Sequence, residues 1–189
     1  ILCDGVLFVL VNDASDKPDY DGSRRFGKSA GGKFWDEGTR KIVALRADSG
    51  DMLWTTERRV LPGTLAADGR HVVFHDGASV VCLDPKTGNN IWRSEAVARA
   101  DEIRSFYIPI LVLYGDVVLF SGGETAGLQT GSWYTSGKDT MTALSAKTGQ
   151  VLWTAYHPPS GYRSPEDLLV ANGLVWTGET TSGRAVGVF

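Results

Sequence analysis

The chain has 189 residues, 42% hydrophobic and 22% charged, which is the balance of a globular protein long enough for a sizeable core and not of a disordered one. A formal net charge of −3 and a pI of about 5.6 leave no basic footprint for nucleic acid or an anionic membrane surface. No apolar run approaches the roughly 18 residues of a spanning helix, and two cysteines, Cys3 and Cys82, are too few for a disulfide framework and lack zinc-site spacing.

The sequence opens at Ile1 with neither an initiator Met nor a charged-then-apolar leader, so it is expected to be an excerpt of a longer protein or, failing that, a processed product. Asp4-Gly5 then precedes the apolar run from Val6 to Val11, a hairpin turn feeding a strand. The same pattern returns at Asp68-Gly69 before Val72, at Tyr114-Gly115 before Val117, and at Asn172-Gly173 before Leu174. Apolar residues at successive positions mean strands covered on both faces. Apart from a short helix expected in 94–104, nothing between the strands has helical length or period, so the cover must be other sheets. Both cysteines fall in apolar strands and read as small buried residues rather than working thiols.

Among these hairpins one eleven-residue phrase occurs three times, at 44–54, 82–92 and 143–153. Each copy starts at a small residue (Ala44, Cys82, Ala143), turns through Ser/Thr-Gly, and runs into a strand that ends in Trp. Gly50, Gly88 and Gly149 supply the positive φ of the turn, and Ser49, Thr87 and Thr148 are placed to hydrogen-bond its backbone. From Gly69 to Trp92 the chain reads as a four-stranded antiparallel meander, and units of about 40 residues with four strands each are propeller blades. The expected fold is all-β, a partial β-propeller spanning 1–189 as one segment. Its blades are placed at 1–54, 63–92, 108–153 and 164–189, the last incomplete.

The phrase, best kept at 82–92, resembles the tryptophan-docking motif of the PQQ-like, or quinoprotein alcohol dehydrogenase-like, β-propellers. Arg46 and Ser145 depart from it where Asp is preferred, and Cys82 stands for Ala. The resemblance implies seven or eight blades, the remainder supplied by the same or another chain. It also implies export to the periplasm or envelope, and a structural role for Trp54, Trp92 and Trp153, buried at equivalent positions between blades.

The family includes enzymes that pair PQQ with calcium, an active-site aspartate and a disulfide between adjacent cysteines; no Cys-Cys pair occurs here. Asp13, Asp16, Asp19 and Asp21 form an acidic stretch without the full spacing of a calcium loop, and reads as solvated. His71, His75 and His157 form no ligand or catalytic spacing. No catalytic residue, metal ligand or cofactor is therefore assigned; PQQ and calcium come into view by family resemblance only.

Two insertions, 12–38 and 122–138, stand between the second and third strands of blades one and three, where blade two has only Asp76-Gly77. Strand alternation puts both on one rim with the connectors 55–62, 93–107 and 154–163. Phe26, Phe34, Trp35, Trp133 and Tyr134 from the insertions, and Arg104, Phe106, Tyr107, Tyr156, His157, Tyr162 and Arg163 from the connectors, make that rim aromatic and basic. Long loops on a rigid scaffold tend to carry function, and aromatic and Arg side chains supply much interface energy. Trp35, Tyr107, Trp133, Tyr134, Tyr162 and Arg163 are the candidate residues for a protein or small-molecule partner; the bland alternative is that Trp35 and Trp133 only anchor the insertions. The expected function is a non-catalytic scaffold or binding segment of a larger bacterial protein. The propeller lipoprotein of the outer-membrane β-barrel assembly machinery is the nearest analogue the resemblance offers. The competing reading is part of a PQQ-dependent dehydrogenase, or a propeller fused to a separate catalytic domain.

Overall fold

A computed structural model describes residues 1–12, 37–99, 109–124, 139–157, 168–179 and 184–188. Among them every regular element is a strand. The first sheet holds β1 (Leu2–Cys3), β2 (Val6–Val11), β3 (Thr39–Arg46) and β4 (Met52–Arg59). The second holds β5 (Ala66–Ala67), β6 (Val72–His75), β7 (Ser79–Leu83) and β8 (Asn90–Ala96). The third holds β9 (Ile110–Tyr114), β10 (Val117–Glu124), β11 (Asp139–Ser145) and β12 (Val151–His157). A fourth, of three strands, holds β13 (Leu168–Ala171), β14 (Leu174–Glu179) and β15 (Arg184–Val188). Each sheet is an antiparallel meander in chain order, and inner strands of successive sheets touch (β5 with β9, β9 with β13). This is a partial propeller, and each sheet is a blade.

The doubly apolar strands are explained by three cores, each lying between successive blades. Val72, Phe74, Val81 and Leu83 of blade two face Phe8, Ile42 and Ala44 of blade one. Their neighbours Val73, Val80 and Cys82 point the other way, onto Leu111, Val118, Phe120 and Leu144 of blade three. Leu119, Met141 and Ala143 then face Leu168 of blade four. A strand sandwiched between two sheets has no solvent face, so the period-two polar signal vanishes. The helix expected in 94–104 does not form in the described part. Ser94–Ala96 complete β8 and 97–99 are irregular, while 100–104 lie outside the described residues.

The repeated phrase folds the same way each time. The Gly amide closes a five-residue turn onto the carbonyl four residues back, Gly50 to Arg46, Gly88 to Asp84 and Gly149 to Ser145, all at 2.8 Å. The glycines sit at φ of 78°, 71° and 74°. The Ser49, Thr87 and Thr148 hydroxyls each accept the amide two residues on, at 3.3 Å. Asp84 adds amide bonds from Lys86 and Thr87, which Arg46 and Ser145 have no carboxylate to make. Each turn is followed by a register shift that leaves Leu53, Ile91 and Leu152 unopposed. The shift sets each Trp directly across from the small residue: Ala44 with Trp54, Cys82 with Trp92, Ala143 with Trp153.

Two of the three indoles dock on the next blade. Trp54 Nε1 donates to the Pro85 carbonyl and Trp92 Nε1 to the Ala146 carbonyl, both at 2.8 Å and both to the residue three before the turn glycine. The rings lie on those glycines so closely that a Cβ on Gly88 or Gly149 would come within 2.7 or 2.5 Å of an indole carbon. Trp54 and Trp92 are half-buried, but Trp153 is 41% exposed, contrary to the expectation of three equivalent buried indoles. By the pattern of the first two indoles, the turn that would take it is the one after β15 of the fourth blade. The outer strands also run on past their tryptophans, to Arg59, Ala96 and His157.

Candidate functional site

Strand polarity gives the blades two unlike ends. At one end lie the hairpins at Asp4-Gly5, 68–71, Gly115-Asp116 and Asn172-Gly173 and the three Ser/Thr-Gly turns, two of which accept a Trp, all short. They are tied across blades: the Asp4 carboxylate lies against Gly69, and Arg70 donates to Asp116 Oδ1 and the Gly115 carbonyl, each at 3.1 Å. Asp68 Oδ1 accepts the amides of Arg70 and His71 at 2.7 Å, and the His71 ring stands 3.3 Å from the same oxygen.

At the other end β2, β4, β6, β8, β10, β12 and β14 finish and β3, β5, β7, β9, β11, β13 and β15 begin. The segments joining them there include both insertions and all three connectors. Trp35, Tyr107, Trp133, Tyr134, Tyr162 and Arg163 fall on those segments and lie outside the described residues, as do Phe26, Phe34, Arg104 and Phe106 and the acidic stretch from Asp13 to Asp21. Tyr156 and His157 are placed only as backbone of β12.

What is described at this end is the root on which the first insertion stands. Glu37, left-handed at φ 61°, pairs through Oε2 with Arg59 Nη2 at 3.1 Å and through Oε1 with Arg99 Nη2 at 3.3 Å. Arg99 also donates from Nε to the Gly77 carbonyl at 2.9 Å. One carboxylate thus joins the exit of blade one to the exit of blade two. With Glu37 and Arg59 each about half exposed, such pairs contribute no more than about 1 kcal/mol apiece.

Beneath it Asp76 holds the β6–β7 turn. Its Oδ1 accepts the amides of Ala78 and Ser79 at 2.9 and 2.8 Å, and its Oδ2 takes Arg93 Nε and Nη2 at 3.0 and 2.9 Å. Partial burial alone would raise this carboxyl; the amide bonds and the Arg93 guanidinium outweigh it and hold the acid below its usual range. Deeper still, His75 is fully buried. Its Nδ1 accepts the Gly77 amide at 2.9 Å, its Nε2 donates to the Val97 carbonyl at 3.0 Å, and its ring stacks on Phe120 of blade three at 4.6 Å. Burial pushes it down to about 4, so it is a neutral structural imidazole at pH 7.

None of these groups is poised for nucleophilic chemistry. Cys82 is buried, and desolvation, helped by the Asp68 charge, pushes its thiol up to about 12. Desolvation with Asp4 and Asp68 also raises Cys3. Among the described residues no three His, Cys, Asp or Glu side chains stand where they could hold a metal ion, and Asp68, Asp76 and Asp84 are each turned onto backbone amides instead. His75, read from the sequence as neither ligand nor base, is a structural imidazole; the residues that sequence reasoning missed are Glu37, Arg59 and Arg99. Their one legible trace was the Arg58-Arg59 pair four and five residues after a docking Trp, where the second copy has Ala96 and Val97.

Residues 38–189 match the family model described as outer membrane protein assembly factor BamB. Among solved structures, BamB from Moraxella catarrhalis aligns at a TM-score of 0.52 and 18% identity, over 80% of this chain and 49% of that one. The chain thus spans about half the length of that relative. Quinohemoprotein alcohol dehydrogenase from Comamonas testosteroni aligns at 0.44 and 16%, over 66% of this chain and 20% of that one. No curated protein matches. The matched residues take in the outer two strands of blade one, blades two and three whole and the three-stranded fourth, with the Trp-to-turn contacts that join blades one to three, and the chain belongs to this BamB-type family of PQQ-like propeller repeats.

Proposed function

We propose that this chain is a non-catalytic propeller segment of an exported, envelope-associated bacterial protein, and that it binds a protein partner through the end bearing the insertions. Further blades of the same or another chain would complete the propeller. The observation that carries the reading is the asymmetry of the two ends. One has only tight turns cross-linked by Arg70 and Asp4, while every joining segment beyond a short turn enters and leaves at the other. Blade two makes its turn there with residues 76–78 alone, so the fold does not need 12–38 or 122–138 at those positions. The family description, an assembly factor, favours a protein partner over a small substrate.

Trp35, Tyr107, Trp133, Tyr134, Tyr162 and Arg163 are the contact residues we propose, because rigid aromatics and Arg dominate interface energies. The test replaces Trp35 and Trp133 by Ala, singly and together, and compares urea stability with cross-linking to envelope proteins of the source cell. The expected result is unchanged stability with loss of one defined cross-linked species. Unchanged cross-linking in the double variant would overturn the proposal. Loss of several kcal/mol of stability would instead make these residues anchors of the insertions.

A further inference from the structure

The geometry points to a second, separate binding site: the groove between blades one and two takes a small oxyanion, a carboxylate or phosphate group, on Arg58 and Arg93. The groove encloses about 330 Å³; Arg58 and Arg59 come to it from β4 and Asn90 and Arg93 from β8, over a floor of Phe74 and Val81. Arg58 donates to the Glu57 carbonyl at 2.9 Å and to Asn90 Oδ1 at 3.4 Å, so among the described residues its guanidinium is held by neutral oxygens and matched to no carboxylate. Arg93 is fixed in direction by Asp76, whose two oxygens are fully occupied by two amides and two guanidinium N–H groups. Asp76 therefore orients a cation without having a lone pair turned to the groove. Glu57 is the remaining acid on its wall; Arg59 is paired with Glu37 and Arg93 with Asp76, so Arg58 is the guanidinium of the lining that no carboxylate bonds among the described residues.

The repeat supplies its own control. Between blades two and three an equivalent groove of about 280 Å³ is lined by Ala96, Val151, Thr142 and Thr154. Ala96 stands four residues after Trp92, as Arg58 stands four after Trp54. The cross-strand pair Thr142–Thr154 occupies the register of Val81–Arg93, and Leu144–Val151 that of Leu83–Asn90. The propeller thus builds the cleft at each junction, and neutral small side chains suffice to line it. In the second groove Thr142 and Thr154 simply hydrogen-bond each other at 3.2 Å. Arg, Asn and Arg at the matching positions of the first groove are not required by the fold. Guanidinium groups brought to one groove from facing blades, Arg58 from β4 and Arg93 from β8, are suited to an oxyanion, which accepts charge-assisted hydrogen bonds from both.

Titration calorimetry with citrate and, separately, inorganic phosphate tests this on the intact protein at low salt. One equivalent is expected to bind, with affinity falling as salt rises. R58Q is expected to weaken binding tenfold or more without changing the fold, since its side chain makes only one long hydrogen bond across the seam; R93Q should do the same. The double substitution A96R/T154R should create a second equivalent in the neutral groove. A preference for citrate over phosphate identifies a carboxylate ligand, and the reverse a phosphate. Absence of saturable binding by both anions, or binding that R58Q leaves unchanged, would overturn the site.

Discussion

Trp92 of the second blade donates its indole N–H to the carbonyl of Ala146 in the third, and its ring lies on Gly149 three residues further along. A side chain that fills the seam and satisfies a turn carbonyl in the neighbouring repeat couples the two blades twice. Trp92→Ala is expected to cost about 3 kcal/mol, the lower end for a Trp truncation because the ring is only half-buried. Trp92→Phe keeps most of the packing and should cost about 1 kcal/mol for the lost hydrogen bond. Trp153→Ala, removing a ring 41% exposed, should cost about 1 kcal/mol or less. Urea unfolding of the three variants checks the order, and equal losses from Trp92→Ala and Trp153→Ala would contradict it.

The turn glycines separate strain from crowding. Gly50 and Gly149 share the left-handed backbone, so an Ala at either meets a conformational penalty of about 1 kcal/mol. At Gly50 nothing lies within 4 Å of the new methyl, whereas at Gly149 it would strike the six-membered ring of Trp92. Gly149→Ala should therefore lose clearly more stability than Gly50→Ala and displace the indole, a change that Trp fluorescence reads directly. Similar losses with unaltered emission would show that the indole is not held on this turn.

The blades were legible because the repeat writes the same local chemistry three times: a small residue, a glycine that must turn left-handed, and a Trp at fixed spacing. The small residue also has a cross-strand reason, since Ala44, Cys82 and Ala143 sit directly opposite the indoles. Strand ends were less legible. β4 runs on through Thr55, Thr56, Glu57, Arg58 and Arg59, which carry no apolar alternation because an outermost strand has little to bury. The contacts at the insertion-bearing end were not legible at all. Glu37 meets Arg99 across 62 residues and His75 meets Phe120 across a blade junction, so no local pattern announces either. The named rim residues, Trp35 and Trp133 among them, were chosen by side-chain type and loop length, and they lie outside the described residues.

The thiols give a simple check on the packing. Cys82 is fully buried across from Trp92, and burial pushes it up to about 12, so little thiolate forms at neutral pH and no reagent reaches it. A disulfide-exchange reagent at pH 8 should leave Cys82 unmodified in the folded protein and modify it promptly in urea. Rapid native labelling would mean that the seam between blades two and three opens readily. Cys82→Leu should be destabilising by about 1–3 kcal/mol, because two more carbons must fit where the strand register presses a small residue against an indole.

His75 makes stability depend on pH in a definite direction. In the fold the ring is neutral down to about pH 4, because desolvation outweighs the Val97 carbonyl bond and the Asp76 charge that favour protonation, while Arg99 and Arg93 oppose it. In the unfolded chain it takes up a proton near its ordinary value of 6.5. The unfolded state therefore binds more protons between these two values, so the contribution is complete above pH 6.5 and is lost as pH falls toward 4. The span corresponds to a loss on the order of 3 kcal/mol across that window. Protonation also sets a second N–H against the Gly77 amide that now donates to Nδ1, loosening the 76–78 turn. His75→Gln removes the titration, so the gap in urea stability between wild type and variant should shrink steadily from pH 7 to pH 4. Asp84, which has no part in the His75 contacts and is held below its usual range, loses its own contribution at lower pH still in both proteins. A gap that stays constant across the window would show that His75 titrates alike in the folded and unfolded states.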